Sequence, residues 1–316
     1  MEPVPTGSRL ADKGGPVVVG HDGRRSGRLA VEWAAAEAVR RGTRLVIIYA
    51  ADYPGMKDRA PGEALAPGAL ESAGDVTDEG IELVRELHPA LEVSGRTEVT
   101  GPADALVAAS ADAALVVVGT RAFPRLVKAV IGSVAYTVAA RSACPVVVVK
   151  DDGSRAARTP GPGRPIVVGM DGSAAAEAAL RFAADHALAT SARLEVACCR
   201  AEDFSATVPE SELQAEREAL AATIADELAR SHPDLEITVD APDQTPQVVL
   251  VERSAETGLV VVGSAGRSAL GGLVLGSVSQ AVIHGSVAPV AVIGPPALTD
   301  PQVRTPEADR HRRAGR

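Results

Sequence analysis

Short apolar runs alternate along this chain with longer stretches in which apolar residues recur at helical spacing. The runs VVVG at Val17, VIIYA at Val46 and LVVVG at Leu115 contain almost no polar residue, which is typical of strands covered by helices on both faces. The stretch from Arg28 to Arg41 has the period of an amphipathic helix. The pattern predicts βαβ units and a parallel sheet.

The whole pattern occurs twice. The segment from Pro16 matches the segment from Pro165 at an offset of 149 residues, whereas SACPVVVV at Ser142 matches SVAPVAVI at Ser286 at an offset of 144. The five-residue difference places an insertion in the first copy between residues 49 and 88. Its Pro-rich and Gly-rich part, residues 54–68, is predicted to be a loop, because loops tolerate changes in length. Five strands are expected in each copy, beginning near residues 16, 45, 91, 115 and 145 and near residues 165, 194, 235, 259 and 289.

The length of 316 residues also suits two domains, each large enough to bury its own core. We predict an α/β protein with two tandem doubly wound domains, residues 1–150 and 164–294, joined by a polar linker rich in Pro and Gly at residues 151–163. Residues 295–316 have no apolar period and are predicted to be a disordered tail.

Composition excludes several classes of function. A net charge of −9 and an aromatic content of 2% disfavour a nucleic-acid partner. No apolar run approaches the roughly 18 residues of a membrane span, and the N-terminus lacks the apolar region of a signal peptide, so we expect no membrane partner and a cytoplasmic location. The spacing of Cys144, Cys198 and Cys199 suits neither a disulfide framework nor zinc, which favours buried thiols.

Candidate chemistry follows the fourth strand of the second copy, which reads Gly263-Ser-Ala-Gly266, nine residues, then Gly276-Ser277. The last pair is predicted to open a helix that runs to about residue 284. Glycines let the backbone approach a bound group closely, and the N-terminus of a helix favours a phosphate. A glycine at a strand end and a Gly-Ser pair at a helix start are also ordinary turn and cap chemistry, so a purely structural role stays open.

The first copy has Gly119, then Ala122 in place of the second glycine, nine residues, and Gly132-Ser133. If this position needs a positive φ or close backbone contact, the methyl group of Ala122 costs about 1 kcal/mol or more. The second copy, which keeps the full glycine pattern, is therefore the stronger candidate for a phosphate-binding site. Positive charge in the first-copy loop could offset the loss, from Arg121, Arg125 and Lys128.

An aspartate follows the first strand of each copy, in Gly-His-Asp22-Gly and Gly-Met-Asp171-Gly. Ligands of open α/β sheets bind at the carboxyl ends of strands where the connections diverge. If the first and fourth strands are neighbours, Asp22 lies across that crevice from Gly119 and Asp171 lies across it from Gly263. Either aspartate could instead cap the following helix. His21 has no recognisable catalytic partner and is interpreted as a loop histidine.

The spacing G-x2-G-x9-G-[S/T] after a VVVG strand, with an Asp just past the first strand, resembles the ATP-binding type of the universal stress protein family. The resemblance covers both copies. It implies a five-stranded sheet in the order 3-2-1-4-5 with helices on both faces, and ATP with Mg²⁺ or Mn²⁺ on its phosphates. It implies binding by Asp171 beside the adenosine, Gly263 and Gly266 along the phosphates, and Gly276, Ser277 and Val278 on the phosphate tail, with Asp22, Gly119, Gly132, Ser133 and Val134 as the first-copy counterparts.

The leading hypothesis is thus an ATP-binding stress-response protein with a nucleotide-dependent regulatory or sensing role. An ATP-hydrolysing enzyme is the first alternative, although the chain has no Walker or kinase signature and no acid–base pair beside the glycines. The second is a scaffold that binds no nucleotide. The resemblance implies that the final strands, PVVVV and PVAVI, pair across domains or subunits, which leaves both a homodimer and intrachain pairing open.

Overall fold

The computed structural model describes residues 14–50, 67–121, 132–154, 156–199, 209–265 and 275–294, and of residues 67–73 and 121 it describes the backbone alone. Several positions named above lie outside these ranges. They are Ala122, Arg125, Lys128, Gly266 and the predicted tail at residues 295–316.

Within the described ranges each copy alternates strands with helices in the predicted order. In domain 1 the elements are β1 (Val17–Gly20), α1 (Arg25–Arg41), β2 (Leu45–Ala50), α2 (Pro67–Leu87), β3 (Val93–Glu98), α3 (Pro102–Ala109), β4 (Leu115–Arg121), α4 (Ser133–Arg141) and β5 (Val146–Asp151). In domain 2 they are β6 (Ile166–Gly169), α5 (Ala174–Thr190), β7 (Leu194–Ala197), α6 (Glu210–Ser231), β8 (Ile237–Asp240), α7 (Pro246–Arg253), β9 (Leu259–Gly263), α8 (Ser277–Gly285) and β10 (Val290–Ile293).

Each domain contributes five parallel strands in the order 3-2-1-4-5, which confirms the predicted fold class. The first and fourth strands are neighbours in both copies, with Val17 beside Leu115 and Ile166 beside Leu259. The last strands, β5 and β10, pair antiparallel with each other and join the two sheets into one sheet of ten strands. Of the two pairings that the resemblance left open, this structure has the intrachain one.

Helices cover both faces of this sheet, as expected for right-handed crossovers on either side of the first strand. One hydrophobic cluster joins the sheet to α1, α2, α5 and α6, and a second joins its other face to α3, α4, α7 and α8. The inner strands are therefore buried on both faces, whereas β3 and β8 lie at the edges of the sheet and are partly exposed. All three cysteines are buried and free, as predicted.

The loop predicted at residues 54–68 is wrong at its last two positions, because Pro67 and Gly68 lie in the first turn of α2. Proline is well accepted there, since the first N–H groups of a helix have no intrahelical partner. The rest of that predicted loop, residues 54–66, lies outside the described residues. Among the described helices, none is long and apolar enough to cross a membrane.

Candidate functional site

The turn between β1 and α1 is fixed by Asp22. Its Oδ1 accepts a hydrogen bond from the backbone N–H of Arg24 at 3.1 Å. The intervening Gly23 has a φ of 72°, a left-handed conformation that favours glycine because it has no Cβ. Asp22 is exposed at the carboxyl end of β1, where the connections to β2 and β4 diverge.

The same turn occurs in domain 2. Asp171 Oδ1 accepts from the Ser173 N–H at 2.9 Å, and Gly172 has a φ of 76°. The helix cap itself comes from Ser173, whose Oγ accepts from the Ala176 N–H at 3.2 Å. The alternative that Asp171 is the helix cap is therefore wrong, since its bond to Ser173 shapes the turn before the helix. At the equivalent cap position in domain 1, Arg24 provides no side-chain cap for α1.

Gly119 and Gly263 each pack closely against the start of a helix. A Cβ on Gly119 would lie 2.1 Å from the carbonyl oxygen of Ser26, and one on Gly263 would lie 2.9 Å from the carbonyl carbon of Ala175. Both contacts are to the first turn of the helix over the neighbouring strand. Helix packing therefore accounts for these two glycines without a ligand, as the structural alternative held.

Gly132 is different, because no contact within the described part of the chain requires a glycine there. It precedes α4 with φ −51° and ψ 127°, which other residues adopt readily, and among the described residues an added Cβ would meet nothing closer than the Thr120 hydroxyl at 3.7 Å. Its surface is exposed. The first turn of α4 has no side-chain cap and no acidic residue, so its N–H groups are available to an anion.

In domain 2 the start of α8 is tied to the end of β9. The Gly276 N–H donates to the Ser264 carbonyl at 2.8 Å, and the Ser279 hydroxyl donates to the Gly263 carbonyl at 2.7 Å. Ser277 is exposed in a first turn that has no side-chain cap and no acidic residue. Helix α8 therefore presents its N-terminus beside the strand end, as the spacing predicted.

Two further side chains distinguish the copies, and sequence reasoning passed over both. Ser279 corresponds to Ala135, which has no hydroxyl, and Gln280 corresponds to Tyr136. Gln280 Nε2 donates to the Leu275 carbonyl at 2.7 Å. The sequence did contain a sign of this difference. Just after the Gly-Ser pair, the second copy has Ser and Gln at the two positions where the first copy has Ala and Tyr.

The structure brings the predicted domain 1 positions together at the carboxyl ends of β1 and β4. Gly119 contacts the first turn of α1, where a Cβ on Gly27 would lie 2.6 Å from Asp22 Oδ1, and Gly132 faces Thr120 at the end of β4. In domain 2, Asp171, Gly263 and Gly276 occupy the matching places. Ser133 is exposed and Val134 half-buried, as are Ser277 and Val278.

His21 lies in the predicted loop, but it is buried, with 4% of its surface exposed and neither ring nitrogen hydrogen-bonded. Burial lowers the pKa of His21, against the charges of Glu79 and Asp22, which raise it. Met170, at the same place in domain 2, is also buried. The apolar counterpart was the only hint of this burial in the sequence.

The described residues contain no group of three or more His, Cys, Asp or Glu side chains placed to hold a metal ion. A cleft of about 870 Å³ lies between α3 and the outer strands of domain 1, lined among others by Arg44, Arg96, Asp104 and Asp112. It contains none of the predicted ligand-binding residues. The candidate site is therefore the pair of strand ends and helix starts described above.

Comparison with known proteins agrees with this architecture. The model of the universal stress protein family matches residues 15–150 and 163–294, and the chain belongs to that family. The universal stress protein Rv2005c of Mycobacterium tuberculosis is 32% identical over 294 residues, covering 87% of this chain and 96% of that protein.

A solved structure shares the fold along most of the chain. A universal stress protein from Archaeoglobus fulgidus has a TM-score of 0.64 at 18% identity and covers 88% of this chain and 98% of its own. Another A. fulgidus universal stress protein, solved in complex with dAMP, matches 42% of this chain and 95% of its own, at 22% identity and a TM-score of 0.33.

Proposed function

We propose that this chain is an ATP-binding regulatory or sensing protein of the stress response, with its principal site in domain 2. The site is the carboxyl edge of β6 and β9, between the Asp171 turn and the start of α8. Gly276, Ser277 and Val278 would hold the phosphates, together with Gly263 and Gly266, and Asp171 would lie at the adenosine. The proposal rests on the N-terminus of α8, which has no side-chain cap and which two hydrogen bonds hold beside the end of β9.

The physical reason is electrostatic preorganisation. The first N–H groups of a helix have no intrahelical acceptor and carry the positive end of the helix dipole. In α8 no acidic side chain of the first turn competes for them, and the bonds from Gly276 and Ser279 hold them beside the strand end. An anion there needs little rearrangement of this helix start.

Mg²⁺ or Mn²⁺ would enter with the phosphates. Magnesium is commonly held by one or two carboxylates together with substrate phosphates and water. In domain 2, Asp171 is the predicted site residue that carries a carboxylate, and its Oδ1 already accepts a hydrogen bond from the Ser173 N–H. The ion would therefore be bound mainly by the nucleotide, whose charge it neutralises.

Domain 1 offers a second, weaker site. The start of α4 has no side-chain cap and Gly132 is exposed, and Asp22 holds its turn as Asp171 does. It lacks the hydroxyl that Ser279 supplies, since Ala135 stands there. We expect domain 1 to bind the same ligand less tightly.

The first test is the nucleotide content of the purified chain, followed by titration with ATP and Mg²⁺ and a steady-state turnover assay. The proposal predicts release or binding of ATP with slow or no hydrolysis. Rapid turnover would favour the enzyme. Neither copurified nucleotide nor binding would favour the scaffold and contradict the proposal.

A matched pair of variants tests the assigned edge. Asp171→Asn keeps the oxygen that accepts from Ser173 but removes the charge, and Asp22→Asn does the same in domain 1. We expect Asp171→Asn to weaken ATP binding at least about tenfold, equivalent to about 1.4 kcal/mol, and Asp22→Asn to leave the tighter site unchanged. The reverse order would refute the assignment to domain 2.

A further inference from the structure

The two domains meet around a pseudo-twofold axis. Val147 of β5 pairs with Ala291 of β10, and these two residues are equivalent under the 144-residue offset between the copies. A residue on this axis therefore faces its own counterpart. In a pairing of two identical domains it would face a copy of itself.

Glu37 of α1 and His186 of α5 are such a pair, equivalent under the 149-residue offset that relates the first halves. They are 4% and 3% exposed, and Glu37 Oε1 lies 3.7 Å from His186 Nδ1. The imidazole stacks on Trp33, with ring centroids 6.2 Å apart and planes within 6°, and it lies 5.6 Å from the ring of Phe182. Trp33 and Phe182 are themselves equivalent positions.

The surfaces of α1 and α5 that meet at this contact differ in charge. Arg40 Nε donates to Glu37 Oε2 at 2.7 Å and Arg41 Nε donates to Oε1 at 2.5 Å, while Arg40 Nη2 lies 3.3 Å from His186 Nδ1. An arginine only donates, so Nδ1 must accept and the imidazole must be neutral. The counterparts of the two arginines in domain 2 are Ala189 and Thr190.

The cluster is sensitive to acid. Burial first, and then the charges of Arg40 and Arg41, lower the pKa of His186 to about 4, against Glu37, which raises it. Burial alone would raise the pKa of Glu37, but the hydrogen bond from Arg40 and the nearby positive charges lower it. Both shifts have the same sign, so the contact contributes fully above pH 6.5 and weakens as the pH falls toward 4.

We propose that the contact between α1 and α5 is a heterotypic interface, in which the Glu37–Arg40–Arg41 cluster of domain 1 takes the neutral His186 of domain 2 as its partner and disfavours a second copy of itself. Two domain 1 faces would bring four arginines and two carboxylates together at the axis. Two domain 2 faces would leave a pair of histidines with no arginine. The interface is thus built for pairing within the tandem chain, independently of any nucleotide.

Trp33 reports on this contact directly, because it is the only tryptophan of the chain and stacks on His186. In the full-length protein we expect its emission to change in one step centred near pH 4, as protonation of His186 disrupts the bond from Arg40. The non-titrating His186→Phe variant should remove that step. His232→Asn, which replaces a half-buried histidine directly after α6 and outside this contact, should retain it. A step that survives in His186→Phe, or its absence in the parent protein, would overturn the proposal.

Exchange of the two side chains tests the partner preference. Glu37→His places a histidine on both faces and should lower the melting temperature by roughly 5 °C. The double exchange Glu37→His with His186→Glu restores one carboxylate within reach of Arg40 and should recover at least half of that loss. An exchange variant no more stable than Glu37→His would contradict a heterotypic interface. If Glu37→His fails to fold, milder variants measure the same coupling. The losses of stability in Glu37→Gln and in His186→Phe are then compared with the loss in the double variant.

Discussion

Domain 1 and domain 2 share a sheet order, a turn and a glycine pattern, yet they hold their candidate sites differently. In domain 2 the hydroxyl of Ser173 caps α5 and that of Ser279 ties α8 to the end of β9. In domain 1 the equivalent positions are Arg24 and Ala135, which supply no such bond. Domain 1 adopts the same fold without these bonds. Their presence in domain 2 therefore indicates that the helix starts of domain 2 must be held in place for a reason other than folding.

Two arginines at the start of α1 pair with carboxylates of domain 1. Arg25 Nε donates to Asp151 at the end of β5 at 2.9 Å, while Arg24 lies 3.8 Å from Asp22 in an exposed ion pair. Arg25 corresponds to Ala174 in domain 2. Arg24 and Arg25 are thus paired with carboxylates of their own domain, whereas Arg125 and Lys128, which the sequence offered as extra positive charge, lie outside the described residues.

The largest expected difference lies in the packing glycines. Gly119→Ala would place a methyl group against the backbone of Ser26 and should destabilise domain 1 by about 3 kcal/mol, whereas Gly263→Ala needs a shift of a few tenths of an ångström and should cost about 1 kcal/mol. Denaturant unfolding followed by Trp33 emission measures the first, and far-ultraviolet circular dichroism measures the second. Equal losses would show that the two helix contacts do not differ as the backbone distances indicate.

The tether of α8 gives the next prediction. Ser279→Ala removes the hydrogen bonds to the Gly263 and Ser264 carbonyls and should cost about 1 kcal/mol of stability and several-fold in ATP affinity. Ala135→Ser, which restores the hydroxyl to domain 1, is the reciprocal change and should tighten the weaker site. Unchanged affinity in both variants would separate this tether from ligand binding.

Most of the fold could be predicted because apolar runs, helical periods and a repeat depend on local sequence. The strand starts expected at residues 91 and 235 lie two residues early, since β3 and β8 are edge strands whose polar residues blur the boundary. The role of Gly119 could not be predicted, because only the packing of α1 across β4 shows that its glycine is required by a neighbouring backbone. The contact of Glu37 with His186 likewise depends on how the two domains pair.

The smallest effect concerns the helix caps. Ser173→Ala removes the bond to the Ala176 N–H and should destabilise domain 2 by about 1 kcal/mol. Arg24→Ser introduces a capping hydroxyl in domain 1 and should stabilise it by roughly 0.5 kcal/mol. Thermal unfolding of the two single variants beside the parent chain measures both, and a loss of stability in Arg24→Ser would show that its ion pair with Asp22 matters more than the missing cap.

The most direct test of the central claim is a calorimetric titration of the full-length chain with ATP and Mg²⁺, using Gly276→Glu and its matched counterpart Gly132→Glu. Each change places a carboxylate at an uncapped helix start, where it would repel the phosphates. We predict one tight site per chain, weakened at least about a hundredfold by Gly276→Glu, or about 2.8 kcal/mol, and retained in Gly132→Glu. Loss of the tight site in Gly132→Glu, with binding intact in Gly276→Glu, would contradict the assignment to domain 2.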